Sequence, residues 1–454
     1  MSHKPVARVI TLGCAKNEVD SEEIAGVLAQ EGYCLDGLAE RSDVTVINTC
    51  GFLEASKKES LEAIRAALRD RAEGRTGKVV VAGCLVQRMG EEIRRLVPGA
   101  DAYVGVGQMA RFGEIVGTAR GGATVALDRP HHLWADVRSR ARSGPAWTAY
   151  LKLSEGCDHE CAFCTIPSFR GKHASKPIER ILDEARRLAE TGAKEICLIA
   201  QDTTQYGHDL YGTFRLPDVI REVAKVDGVR WVRVLYLYPT RVDDRLIETL
   251  ATVEQAVPYI DMPLQHSHPD VLRRMRRPWD GERYLRLFER IRAAMPEVAI
   301  RTTFIVGYPG ETDEEFRHLL DFLRAARLDR VGCFLFSREA GTPAAELPNQ
   351  VSFREKQRRH NELMALQQTI SHEVNRKWVG RDLEVLVEGR TDAGWSYGRS
   401  FRDAPEIDGL VYTDRTLQPG AFVSLRITVA EPYDLVSAGR PSQPKRRRRP
   451  SKPL

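Results

Sequence analysis

Two hydrophobic rhythms alternate along this chain. Short apolar runs rich in Val, Ile and Leu recur between longer stretches in which apolar residues return every three or four positions. The first rhythm belongs to buried strands and the second to amphipathic helices. Through the first hundred residues the pattern predicts strands over 6–12, 44–48 and 78–82. It predicts helices over 21–30, 54–69 and 87–96, the first behind an Asp20 cap. Strands alternating with helices predict a parallel sheet with right-handed crossovers.

Residues 117–146 are rich in Gly, Arg and Pro and show little periodicity, which predicts an interdomain linker with room for one short strand, bounded at 117–142. Strand-like runs then recur at 148–153, 195–200, 231–237, 259–262, 300–307 and 331–337, with helical patterns between them, and a charged helical connector follows over 355–373. Five further runs, at 383–388, 395–399, 410–413, 422–429 and 433–437, are joined by Gly-rich turns. They predict a small antiparallel β-barrel of the OB-like kind. The expected organisation is an N-terminal α/β domain over 6–116, the linker over 117–142, a central β/α core over 143–373, a β domain over 374–440 and a basic disordered tail over 441–454.

The length of 454 residues agrees with about three domains. With 42% hydrophobic and 29% charged residues the chain can bury several cores, so a wholly disordered protein is excluded. No run approaches a membrane-spanning length, and the N-terminus reads as a strand rather than a secretory signal, so a cytoplasmic location away from membranes is expected. The net charge of +5 suggests a nucleic-acid partner until it is localised. Residues 441–454 hold six positive charges and no acid, leaving −1 for residues 1–440. The tail is thus a solubilising end or an electrostatic contact for RNA.

Nine cysteines in such a chain do not suggest a disulfide framework. Cys14, Cys50 and Cys84 each follow one of the first three predicted strands, 36 and 34 residues apart. In a parallel sheet all strand C-termini share one edge, so these thiols can converge on a soft centre, an iron–sulfur cluster or zinc. Cys157, Cys161 and Cys164 form a C-x3-C-x2-C on the loop after the 148–153 strand. Zinc there would need a fourth ligand such as His159 or His173, and no second paired motif follows. A four-iron cluster on three thiolates leaves one iron open for a small molecule. Cys34, Cys197 and Cys333 read as core thiols.

The C-x3-C-x2-C motif, with Phe163 before its last cysteine, resembles the signature of the radical S-adenosylmethionine (SAM) superfamily. That resemblance implies a partial (β/α)6 barrel for the central domain, with its chemistry at the strand C-termini. The loop 201–204 and the turn 307–311 fall on that edge, either as contacts or simply as turn and cap residues. The β domain resembles TRAM. The whole arrangement is similar to the methylthiotransferases, over about residues 6–440. Within them, Thr11–Asn17, Asn48–Ala55 and Ser154–Cys157 resemble the branch that modifies an aspartate of ribosomal protein S-twelve.

The resemblance implies two [4Fe-4S] clusters, one on Cys14, Cys50 and Cys84 and one on Cys157, Cys161 and Cys164. The second cluster binds S-adenosyl-L-methionine and yields a 5′-deoxyadenosyl radical, while the first presents the transferred sulfur. No residue is assigned to acid–base work, since an aspartate β C–H bond has no proton acidic enough for a general base. Implied partners are S-twelve and an electron donor such as flavodoxin or ferredoxin, acting on a monomer. The alternatives are a tRNA adenosine as substrate, or an RNA-binding metal protein without catalysis. Residues 374–440 carry nine basic and ten acidic side chains, a balance unusual for an RNA grip.

Overall fold

A computed structural model describes residues 4–119, 124–127 and 140–438; the expected tail over 441–454 and much of the expected linker lie outside the described residues. The N-terminal unit is a six-stranded parallel sheet built from β1 (Val6–Thr11), β2 (Cys34–Leu35), β3 (Ser42–Thr49), β4 (Thr76–Gly83), β5 (Ala102–Val104) and β6 (Thr124–Ala126), in the order β2-β1-β3-β4-β5-β6. Successive β4 side chains go to opposite faces. Val80 and Ala82 pack with Ile24, Leu28 and Phe112, while Val79 and Val81 pack with Ile64 and Leu85. Both faces are covered by helices, which is why its strands read as continuous apolar runs. The last strand, β6, lies within the segment expected to be linker.

Two helices differ from the periodic reading. The first begins at Ala15 rather than Ser21. Asp20 is therefore inside the helix, buried against the central domain, and not a cap. Its neighbours Lys16, Asn17, Ser21 and Glu22 are buried as well, so the polar face of this helix is an interface and the amphipathic signal fails there. The helix expected over 87–96 is two pieces, Cys84–Met89 and Glu92–Leu96, with Gly90 between them at φ +58°.

The central unit is an open barrel. β7 (Thr148–Lys152) is followed by a two-stranded ribbon, β8 (Ser154–Glu155) and β9 (Ala174–Ser175), which ties together the two ends of the C-x3-C-x2-C loop. Then come β10 (Glu195–Ile199), β11 (Trp231–Val234), β12 (Tyr259–Asp261), β13 (Ala299–Val306) and β14 (Arg330–Leu335). They form two parallel triplets, β11-β10-β7 and β12-β13-β14. The triplets meet where Val257 N–H donates to the Val232 carbonyl (3.0 Å) and Leu237 N–H to that of Asp261 (2.8 Å). Among the described residues β7 and β14 do not pair, so the barrel is incomplete.

Helix Phe353–Arg376 leads to a curled sheet of β15 (Asp382–Arg390), β16 (Ser396–Ser400), β17 (Val411–Thr413), β18 (Phe422–Arg426), β19 (Val429–Ala430) and β20 (Leu435–Ser437), ordered β18-β15-β16-β17-β20-β19. The run expected over 422–429 is two strands, because Ile427 and Thr428 turn a corner and bond to Arg381 and Val436. One pairing, β17 with β20, is parallel. Among the described residues no helix is long and apolar enough to cross a membrane.

The three units are locked by buried charges. The N-terminal unit sits on the C-terminal edge of the barrel strands. There Lys152, at the end of β7, lies 2.5 Å from Asp20. The C-terminal sheet sits on the opposite edge: Glu195, which opens β10, binds Arg399 (2.5 Å) and Arg233 (2.8 Å), and Arg330, which opens β14, binds Asp403 (2.7 Å).

Candidate active site

The structure brings Cys14, Cys50 and Cys84 together at the C-terminal edge of the N-terminal sheet. Cys14 caps helix Ala15–Gln30, Cys50 follows β3, and Cys84 opens the helix after β4. Gly13 makes the approach possible. It adopts φ +96°, and a Cβ there would come 2.8 Å from Cys50 Cβ. Ser60, from helix Glu54–Ala72, pins Cys50 by accepting its N–H (3.1 Å) and donating to its carbonyl (2.9 Å). Asn17 is fully buried; its Nδ2 donates to the carbonyls of Leu12 (2.8 Å) and Thr49 (3.0 Å), holding the first two loops together.

Cys157, Cys161 and Cys164 lie on a closed loop at the barrel's C-terminal edge. Cys157 N–H donates to the Gly171 carbonyl (3.0 Å). Gly156 takes φ +73°, where an added Cβ would collide with the Lys172 carbonyl oxygen. Ala162 N–H donates to Met275 O (3.0 Å), and Ala344 N–H donates to Ala162 O (2.8 Å), which fixes the loop to both sides of the barrel mouth. A stack supports it from within: His159 Nε2 bonds Asp202 (2.7 Å), the His159 and Tyr238 rings lie 3.8 Å apart and 12° from parallel, and Arg277 covers Tyr238 at 4.3 Å while donating to Cys161 Sγ (3.9 Å).

The loop 201–204 thus contacts the cysteine segment, through Asp202 and through Gln201, whose Nε2 donates to Glu155 (3.3 Å). The turn at 307–311 is a turn: Gly307 and Gly310 have positive φ, and Thr312 caps helix Asp313–Ala326 in a reciprocal capping box with Glu315.

A cavity of about 610 Å³ opens over the second triad, within the range of small-molecule sites. Its walls come from both units, with Lys57 and Arg88 on one side and Lys172 and Arg276 on the other. Arg88 crosses the seam to Glu339 (3.0 Å). All nine cysteines are free thiols; Cys197 and Cys333 are buried as expected, whereas Cys34 is exposed on the edge strand β2 and is not a core thiol. Burial pushes Cys84, Cys157 and Cys164 up to about 12, and Arg170 opposes the rise at Cys84. The unloaded thiols are therefore protonated at neutral pH, and a metal centre must displace those protons.

The donor sets fit iron–sulfur clusters better than single zinc ions. Among the described residues one group of three ligand atoms lies within 4.8 Å, namely His268, Asp270 and Glu315, and Arg274 already takes Glu315. Neither cysteine triad is that tight, whereas one tetrahedral zinc would need sulfurs roughly 3.8 Å apart. Of the fourth zinc ligands considered, His159 is held by Asp202 and His173 contacts Ser175 (3.2 Å).

Comparison with known proteins agrees with this geometry. Family models match in the order of the three units: "Uncharacterized protein family UPF0004" over residues 7–105, the radical SAM superfamily over 151–323 and the TRAM domain over 379–438. A "Ribosomal protein uS12 methylthiotransferase RimO" from Symbiobacterium thermophilum is 47% identical, covering 94% of this chain and 89% of its own length. The chain belongs to the RimO family. Proteins of the same name from an Anaeromyxobacter species and from Desulforamulus reducens are 46% and 42% identical, over 97% and 95% of this chain and 94% and 99% of theirs. Two structures of the radical SAM methyltransferase TsrM from Kitasatospora setae share the fold, with TM-scores of 0.54 and 0.52 at 15% and 14% identity; they cover 86% and 89% of this chain, which covers 79% and 82% of theirs. As a RimO-family member the chain is a radical SAM enzyme, and S-adenosylmethionine and [4Fe-4S] clusters are its cofactors.

Several residues around the two triads have contacts that the sequence reading did not give them. Arg170, Asp20, Glu155 and Lys152 form a buried charged knot beside Cys84, and the His159–Tyr238–Arg277 stack braces the other triad. Lys152, Glu155, His159 and Arg170 all lie within six residues of the C-x3-C-x2-C motif, and that proximity is the one signal the sequence offers for them.

Proposed function

We propose that this chain transfers a methylthio group to the β carbon of an aspartate in ribosomal protein uS12, in the cytoplasm. One [4Fe-4S] cluster is then held by Cys157, Cys161 and Cys164, and an auxiliary one by Cys14, Cys50 and Cys84. The observation that carries the reading is the convergence of two cysteine triads across one domain seam, in a chain 47% identical to a protein named for this activity. When bound, the clusters and S-adenosylmethionine supply the radical and the sulfur that no side chain can supply. The chain's own residues hold and orient. Arg277 and the His159–Tyr238 stack fix the loop beside Cys161, and the Arg88–Glu339 pair closes the seam. The mouth is polar and balanced in charge, with Lys57, Arg88, Lys172 and Arg276 facing Glu54, Glu92, Asp158 and Glu160.

A tRNA adenosine is the competing substrate, favoured only by the Arg-rich segment 445–449. Residues 374–440 sum to −1, which suits a basic ribosomal protein better than phosphates. The reading also takes the enzyme as a monomer served by a flavodoxin or ferredoxin. Its test is intact-mass measurement of uS12 after incubation with enzyme, reductant, sulfide and S-adenosylmethionine. The expected result is a gain of about 46 Da, a methylthio group for hydrogen, retained when residues 441–454 are deleted. An unchanged uS12 together with methylthio-adenosine in tRNA would transfer the assignment to the competing substrate.

A further inference from the structure

The two triads are joined by one short element. Helix Ile166–Arg170 starts beside the second triad, where Ile166 N–H donates to Cys164 Sγ (3.4 Å). It ends at the first, where Arg170 donates to Cys84 Sγ from both Nε (3.2 Å) and Nη2 (3.1 Å). Five residues of helix rise about 7.5 Å, so this element sets a short span between the sites. Gly171, the next residue, accepts the N–H of Cys157. The loop of one triad is thus continuous with the residue that grips the other.

Arg170 is buried, and its remaining donors are committed. Nη1 donates to both oxygens of Glu155 (3.0 Å each), and Nη2 to Asn17 Oδ1 and Asp20 Oδ2 (2.8 Å each). Asn17 is the residue that ties the Cys14 and Cys50 loops together, so the grip extends to all three cysteines of the first triad. Lys152 shares the two acids, at 2.5 Å from Asp20 and 2.6 Å from Glu155. The two cations balance the two carboxylates, and the Nε–Nη2 edge of Arg170 is left to face sulfur. Only a planar fork can do this; an ammonium on the same backbone position cannot meet two carboxylates, an amide and a sulfur at once.

We propose that Arg170 is a positioning residue of the auxiliary site, which fixes that site's distance from the radical site and, by donating its Nε N–H and a shared Nη2 N–H to the Cys84 sulfur, raises the auxiliary cluster's reduction potential. This rests on the assignment of Cys14, Cys50 and Cys84 as ligands. Hydrogen bonds to a ligating sulfur stabilise the more negative, reduced state, and burial strengthens them. Loss of such an outer contact ordinarily costs about 10- to 100-fold in function.

The test uses Arg170→Lys, which keeps the buried charge, and Arg170→Gln combined with Asp20→Asn, which keeps the charge balance. Each is made in the full chain and again in a Cys157/Cys161/Cys164→Ala background, where only the auxiliary cluster remains for an EPR-monitored potentiometric titration. Both variants are expected to shift that potential downward. In the full enzyme, methylthio product per 5′-deoxyadenosine should fall at least about tenfold, while 5′-deoxyadenosine itself persists. An unchanged potential with an unchanged product ratio would overturn the role, as would loss of both clusters together, which would make Arg170 a general fold residue. An Arg170 protein that holds no iron in the triple-alanine background would instead refute the ligand assignment, and the role with it.

Discussion

At Gly156 a methyl group has nowhere to go: the backbone is left-handed and the Lys172 carbonyl occupies the Cβ position. Gly156→Ala must open the β8–β9 ribbon, at a strain of about 1–3 kcal/mol. The predicted product keeps the auxiliary cluster and loses the other, so iron after anaerobic reconstitution should fall from about eight to about four per chain. Retention of full iron would mean that the loop tolerates the change. Replacing Cys157, Cys161 and Cys164 by Ala should give the same iron content by a different route and abolish 5′-deoxyadenosine formation. Replacing Cys14, Cys50 and Cys84 should spare 5′-deoxyadenosine and abolish the methylthio product. Product at wild-type yield from that second triple variant would make the N-terminal cysteines structural.

Among the elements, helix Asp313–Ala326 is the clearest case of a boundary written locally. Thr312 accepts the Glu315 N–H (3.2 Å) while Glu315 accepts that of Thr312 (2.9 Å). Thr312→Ala should cost about 1 kcal/mol, visible as a lowered melting temperature with turnover unchanged; a loss of turnover at equal stability would place Thr312 in the site. Helix Ala15–Gln30 is the opposite case. Its start at Ala15 follows from burial of Lys16, Asn17 and Asp20 against the barrel, contacts that span 132 residues from Asp20 to Lys152. A window of a dozen residues contains no trace of them.

For the whole molecule, the C-terminal sheet is bound to the edge of the barrel opposite the chemistry, the edge associated with stability rather than catalysis. Burial alone would raise the Glu195 carboxyl, but Arg399 and Arg233 outweigh it and hold it at about 2. A carboxyl depressed from its ordinary value near 4.5 contributes stability that is complete above that pH and lost as pH falls toward 2. Unfolding measured from pH 7 to 3 should therefore show an acid-side decline that is flatter in Glu195→Gln. At pH 7 that variant should lose about 3–5 kcal/mol, because two buried guanidinium groups lose their carboxylate; a variant as stable as the parent would show that the sheet is held by other contacts. The sequence by itself determined the alternation of the long strands and helices, the three-unit division and the six cysteines set apart by spacing, because strand and helix periods and a C-x3-C-x2-C are complete within short windows, while the two- and three-residue strands β2, β5, β6, β8 and β9 are too short to show a period. Tertiary structure alone decided that Arg170 reaches Cys84 across 86 residues and that Arg399 reaches Glu195 across 204. It also decided that an aspartate reading as a helix cap is a buried partner of Lys152. Pairings of that kind follow from where the chain returns in space, and no periodicity along it records them.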